Sequence, residues 1–263
     1  MSELFLFSMI LGLAAGLLAG LFGLGGGVVI VPALVWLFSA HHFPGEAVMI
    51  MAIATSLATI IFTSIASIST HFKLGNIKWG SVARLSPGIL FGAGVGAIAA
   101  DFINSDTLKY FFISYLVYVG IRMALPPKPS SKSKRPEQWI DYWAGNVIGF
   151  LSAILGIGGG TLTVPYLLGR QLPMKNAVAV SSACGLPIAI SGTIVYAVLG
   201  RDNAFLPEWS AGYVYLPALA GIIICSIVTA PIGAKLANNL PAKKLKKYFS
   251  IVLFLMAFKM MAG

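Results

Sequence analysis

Hydrophobic positions along this chain form long runs rather than the short alternations of a chain that faces water. The runs cover residues 4–38, 47–70, 81–100 and 107–124, then 140–169, 177–199, 212–230 and 245–262. Several contain stretches of about 18 or more residues without a charge, the mark of helices that cross a bilayer. Core helices of a large soluble protein would need a polar face toward water, and few of these runs carry one. The opening run of each half is anomalous. Residues 4–38 in one helix would extend about 52 Å against a hydrocarbon core of about 30 Å, whereas two full spans and a turn need more than ~40 residues. A helical hairpin bent at its internal glycines, with two short or tilted arms, fits both limits.

Repetition gives the organisation. Gly23-Leu24-Gly25-Gly26-Gly27 is followed by Val31-Pro32, and Gly156-Ile157-Gly158-Gly159-Gly160 by Val164-Pro165. The constant offset of 133 also pairs Gly12 with Gly145 and Gly16 with Gly149. Further on, Lys109-Tyr110-Phe111-Phe112-Ile113 is echoed by Lys247-Tyr248-Phe249-Ser250-Ile251. Matches in the same order indicate a duplication. The expected fold is an all-α integral membrane protein of two inverted repeats. Each repeat is a glycine-broken helical hairpin followed by three spanning helices, over residues 1–125 and 139–263, joined by a basic cytoplasmic linker at 126–138.

Composition agrees: 58% of the residues are hydrophobic and 10% charged, against roughly a quarter charged in a soluble domain. The placement of the net charge of +10 is more informative than its size. Lys and Arg concentrate in Arg122–Arg135 and Lys235–Lys247, beside apolar runs, which suits the positive-inside rule and contact with membrane lipid rather than a nucleic-acid partner. With both basic segments inside, every loop agrees if each opening hairpin leaves and returns on one side. That inverts the halves and puts both termini outside a bacterial inner membrane. Glu3 and the length of the first run argue against a cleaved signal peptide. Cys184 and Cys225 lie in apolar segments, so no disulfide framework is expected. No CxxC or His–carboxylate cluster suggests a metal, and no cofactor is expected.

Glycines within lipid forgo helix propensity and leave backbone amides that must be satisfied inside the protein or in a polar cavity. A new helix starting at each turn would aim its free amides at one place, a nest for an anion. The candidate substrate-lining residues are therefore Gly23, Gly25, Gly26, Gly27, Gly156, Gly158, Gly159 and Gly160. Close packing or a hinge is the competing reading, and it governs Gly12, Gly16, Gly20, Gly88, Gly92 and Gly96, which are spaced by four. Thr55, Ser56, Ser181 and Ser182 in the following runs, with Thr161 and Thr163 after the second turn, add hydroxyls. These serve an oxyanion or bond back to their own helix. Arg84, Lys175 and His71 are candidate pathway residues, with interfacial snorkelling as the plain alternative for the cations. His71 is placed just beyond a span, with proton coupling as one role for it. The turns lack the Lys and Ser/Thr of a phosphate-binding loop and a preceding strand. No nucleophile–base couple points to an enzyme.

The paired GxGGG-x3-VP signatures, each after a glycine-spaced apolar run and before a serine-bearing helix, resemble the sulfite exporter TauE/SafE family of membrane permeases. The resemblance covers nearly the whole chain. It implies a secondary transporter that exports sulfite or a small organosulfonate anion, with an anion channel or a carrier of another small organic anion as the alternative. A proton gradient is a candidate driving force, and a homo-oligomer a candidate assembly. Family members are described with about eight spans, whereas the runs here read as six spans and two hairpins.

Overall fold

A computed structural model describes residues 2–23, 25–124, 138–203, 205–239 and 242–262. Apart from Gln138, the linker expected at 126–138 lies outside the described residues, as does Leu24 of the first turn. The first half contains α1 (Ser2–Phe22), α2 (Gly27–Ala40), α3 (Gly45–Lys73), α4 (Trp79–Asp101) and α5 (Ser105–Ala124). The second repeats the order with α6 (Gln138–Leu155), α7 (Gly160–Gly169), α8 (Met174–Leu199), α9 (Leu216–Asn239) and α10 (Ala242–Ala262). The chain is an all-α integral membrane protein. By length and composition, α1, α3, α4, α8 and α9 can each cross a bilayer.

The opening run of each half breaks at its glycines, but the arms are unequal. In the first half α1 has 21 residues and α2 has 14, lengths of about 32 and 21 Å. In the second, α6 has 18 and α7 has 10, about 27 and 15 Å. Of the expected short or tilted arms, the second is the short one in each half, and the first comes close to the thickness of the hydrocarbon core. Both pairs fold back on themselves: Phe7 of α1 meets Trp36 of α2 at 5.1 Å, and Tyr166 of α7 reaches Asp141 of α6.

Small residues set the packing between halves. Gly12, Gly16 and Gly20 of α1 lie directly on the backbone of α9 at Ile222, Ser226 and Ala230. Gly88, Gly92 and Gly96 of α4 lie likewise on α6 at Tyr142, Asn146 and Phe150. Residue numbers rise together in both pairs, so α1 runs parallel to α9 and α4 to α6. Without a hydrophobic force between helices in lipid, such close approach supplies the dispersion contact that holds them. The corresponding helices α3 and α8 pair at the centre and run antiparallel, Leu57 beside Gly192 and Ser64 beside Gly185. In α3, Thr55, Ser56, Thr59, Thr63, Ser64, Ser67 and His71 are all buried.

Between α8 and α9 the chain forms a small antiparallel ribbon, β1 (Ser210–Ala211) and β2 (Val214–Tyr215). The run expected as a helix from residue 212 thus begins its helix at Leu216. The ribbon reaches into the bundle: the Tyr215 amide donates to Thr55 Oγ1 at 3.0 Å. The Tyr215 ring packs on Phe38 and Phe43, with centroids 5.6 and 5.1 Å away.

Candidate functional site

The two glycine turns meet. Gly26 and Gly159 cap α2 and α7 with left-handed backbone, φ 83° and 74°. Glycine adopts this conformation without the steric penalty of a Cβ. A Cβ on Gly25 would stand 3.3 Å from Gly158 Cα, and one on Gly27 would stand 2.9 Å from Ile157 Cα, closer still to the Gly156 carbonyl. The first turns of α2 and α7 therefore start at one place, where each helix N-terminus leaves backbone amides without an intrahelical acceptor. Among the described residues, the amides of Gly160 and Thr161 donate to no backbone carbonyl.

Hydroxyls from each half clamp the turn of the other. Ser56 donates to the Gly156 carbonyl at 2.7 Å, and Ser181 donates to the Gly23 carbonyl at 3.0 Å. Gly23 and Gly156 are equivalent in the repeat, so the two bonds are counterparts. Thr63 donates to the Gly25 carbonyl at 3.3 Å. The hydroxyl protons of Ser56 and Ser181 are thus committed to carbonyls in this conformation. Thr55 accepts from Tyr215, and Thr161 pairs with the Tyr115 hydroxyl.

Other polar atoms at the turns have no partner. Ser152 Oγ, Thr163 Oγ1 and Ser182 Oγ are buried and unpaired among the described residues. Thr163 Oγ1 and Ser152 Oγ lie 3.3 and 3.4 Å from the point where a Gly159 Cβ would stand, and Ser182 Oγ lies 3.2 Å from that point at Gly23. Both ring nitrogens of His71 and the hydroxyl of Ser67 are unpaired too, and His71 is only 2% exposed. His71 lies inside α3 rather than beyond its end. The antiparallel register brings Ser67 level with Ser182, and the Asn176 side chain, bonded at 2.7 Å to the Asn76 carbonyl, continues that pairing past His71. Buried polar groups usually find partners. So many unpaired ones beside two helix N-termini make this the polar heart of an apolar protein.

Of the residues expected in the site, the eight glycines, Thr55, Ser56, Thr161, Thr163, Ser181 and Ser182 gather on these turns or on the helices packed against them. Arg84 and Lys175 do not join them. Lys175 is exposed in the first turn of α8. Arg84 belongs to a separate cluster, in which its Nε donates to Asp141 at 2.9 Å. Arg170 approaches the other oxygen of the same carboxylate at 3.2 Å. Tyr166 donates to Asp141 and accepts from Arg170 at 2.9 Å. Reading the sequence missed Asp141, because an acid in a first helical turn is ordinarily explained by the helix dipole; the available signal was Arg84 and Arg170 within apolar surroundings. Ser152 and Ser67 were missed as well, being single hydroxyls in apolar helices.

A polytopic helical protein whose two broken hairpins meet at a polar centre has the architecture of a membrane transporter. Residues 8–260 match the sulfite exporter TauE/SafE family, and the chain belongs to it. A probable membrane transporter protein of Haemophilus influenzae is 38% identical over 258 residues, covering 97% of each chain. One from Methanocaldococcus jannaschii is 31% identical, covering 96% of this chain and 94% of its own. The Bacillus subtilis protein YunE, with the same description, is 30% identical over 76% of this chain and 80% of its own. No solved structure gives a significant match.

Proposed function

We propose that this membrane transporter is a secondary carrier that exports sulfite or a small organosulfonate anion by alternating access, holding the substrate between the two glycine turns. The observation that carries the reading is the convergence of the α2 and α7 N-termini on each other beside the unpaired hydroxyls of Ser152, Thr163 and Ser182. Helix N-termini and hydroxyls suit an oxyanion without placing a counter-charge in lipid. Sulfite, with three oxygens and negative charge at neutral pH, accepts from such donors.

Alternating access fits the construction. The Ser56–Gly156 and Ser181–Gly23 bonds join the halves through single hydrogen bonds, each worth about 1 kcal/mol net. Rearrangement of one half against the other can exchange such bonds for bonds to substrate. Inverted halves are supported by the antiparallel α3 and α8 and by the exchanged parallel pairs α1–α9 and α4–α6. With the basic segments inside, the reading puts both termini outside a bacterial inner membrane. His71, buried and with both ring nitrogens unpaired among the described residues, is the candidate for coupling to protons.

The test is efflux of labelled sulfite, sulfoacetate and sulfate from liposomes holding the purified protein, with and without a proton gradient. Saturable sulfite or sulfoacetate flux supports the carrier. Large flux that fails to saturate assigns a channel instead, and flux of neither anion rejects the substrate class.

A further inference from the structure

Away from the glycine turns, a cavity of about 140 Å³ opens among Ser81, Arg84, Asp141, Tyr166 and Arg170, where α4, α6 and α7 converge. We infer that Arg84 and Arg170 form a receiving station for a small oxyanion, in which Asp141 is the resident carboxylate that the incoming anion displaces. The identity of the anion rests on the transport reading above; the existence of the station does not.

Charge makes the first argument. Two guanidiniums face one carboxylate, so the cavity carries one uncompensated positive charge. A structural ion pair needs one arginine; the second is held by the Tyr166 ring, 5.4 Å from its guanidinium, and by the C-terminal end of α7, and still leaves a surplus positive charge for an anion. Neither guanidinium is saturated. Arg84 commits Nε to Asp141 and Nη2 to Ser81 at 3.4 Å, and Arg170 uses Nη2 alone. Most of the five N–H donors on each remain free to grip an oxyanion in the planar fork geometry that suits it. Access is available as well, since the arginine side chains are 34% and 21% exposed while Asp141 is 7%.

The repeat supplies the second argument. At the constant offset, Asp141 corresponds to Ser8, Tyr166 to Ala33 and Arg170 to Leu37. Ser8 simply donates to the Leu4 carbonyl of its own helix at 2.8 Å. The equivalent hairpin of the first half therefore folds without this cluster. Elsewhere, a cavity near the start of α3 is lined by Glu46 and Asp101, and one beside α2 by Lys109 and Lys259.

Arg170 caps the C-terminal end of α7, whose other end begins at the Gly159 turn. When a free anion replaces Asp141 on Arg170, the tie from α7 to α6 loosens. Occupancy of the station thereby reaches the central turn along a helix of 10 residues.

Calorimetric titration of sodium sulfite into detergent-purified protein tests this, together with the KM for efflux. Asp141→Asn keeps the shape and removes the competing charge, and should tighten sulfite binding about tenfold; Arg84→Gln and Arg170→Gln should each weaken it about tenfold. If Asp141→Asn does not fold, the two arginine variants carry the test. Equal affinity and KM in the folded variants and wild type would overturn the station, whatever the flux. Altered affinities with no wild-type sulfite flux would uphold the station and remove the reading of sulfite as the carried substrate. The titration is repeated in nanodiscs of zwitterionic lipid with and without phosphatidylglycerol. Variant-dependent stabilisation by phosphatidylglycerol with no sulfite response would mark a headgroup contact and overturn the solute station.

Discussion

Gly27→Ala isolates the contact between the two turns. Gly27 opens α2 with helical backbone, so alanine brings no conformational strain there. Its Cβ would stand 2.9 Å from Ile157 Cα and 3.0 Å from Ser56 Oγ, and closer still to the Gly156 carbonyl oxygen, well inside van der Waals contact. Backbone on both sides cannot rotate away, so the turns must part by about 1 Å to restore ordinary contact. Overpacking of this kind costs about 1–3 kcal/mol, and strain on the Ser56–Gly156 bond adds up to ~1 kcal/mol. The better helix propensity of alanine returns at most ~1 kcal/mol. The expected result is a net destabilisation of about 1–3 kcal/mol, with sulfite efflux reduced by more than the loss of folded protein. Gly45→Ala is the matched control: Gly45 also opens a helix, and nothing lies within 4 Å of its Cβ position. It should be neutral or stabilising with full flux. Melting by intrinsic fluorescence and liposome efflux read both variants. Equal stability and flux for Gly27→Ala and Gly45→Ala would refute the reasoning.

Ser56→Ala and Ser181→Ala should each lower stability by about 1–2 kcal/mol, because each strips the donor from a buried glycine carbonyl; denaturant melts in micelles measure it. Thr55→Val leaves the Tyr215 amide without its acceptor and should cost about 1–3 kcal/mol, with proteolysis between α8 and α9 accelerated. Impermeant labelling of a cysteine added at each terminus, in a background lacking Cys184 and Cys225, should modify both ends from outside; labelling of one end only would contradict inverted halves.

The glycine turns were legible because each is a dense, repeated signal in a context that excludes soluble loops. Helix order and approximate bounds followed from apolar length, as α3, α4 and α8 illustrate. The unequal arms did not: Leu17 to Phe22 continue the helix of α1 up to the turn, and hydropathy cannot locate a break inside an apolar run. The ribbon at Ser210–Tyr215 was invisible, since two-residue strands carry no period. Partnerships were least legible. Thr55 and Ser56 adjoin, yet one accepts from the ribbon and the other donates to a turn in the opposite half, a distinction set wholly by tertiary packing. Asp141 needs Arg84, 57 positions away, to be recognised as part of a charge cluster.

The central claim is that the unpaired hydroxyls at the turns serve a ligand. Ser182→Ala and Thr163→Val remove buried groups that have no partner, so the fold should be unharmed or slightly stabilised. The decisive measurement is sulfite efflux from liposomes by the double variant beside its melting temperature. Wild-type stability or better is expected, with at least a roughly tenfold loss in saturable flux, the worth of one or two hydrogen bonds to a charged group. Wild-type flux from the folded double variant would contradict it.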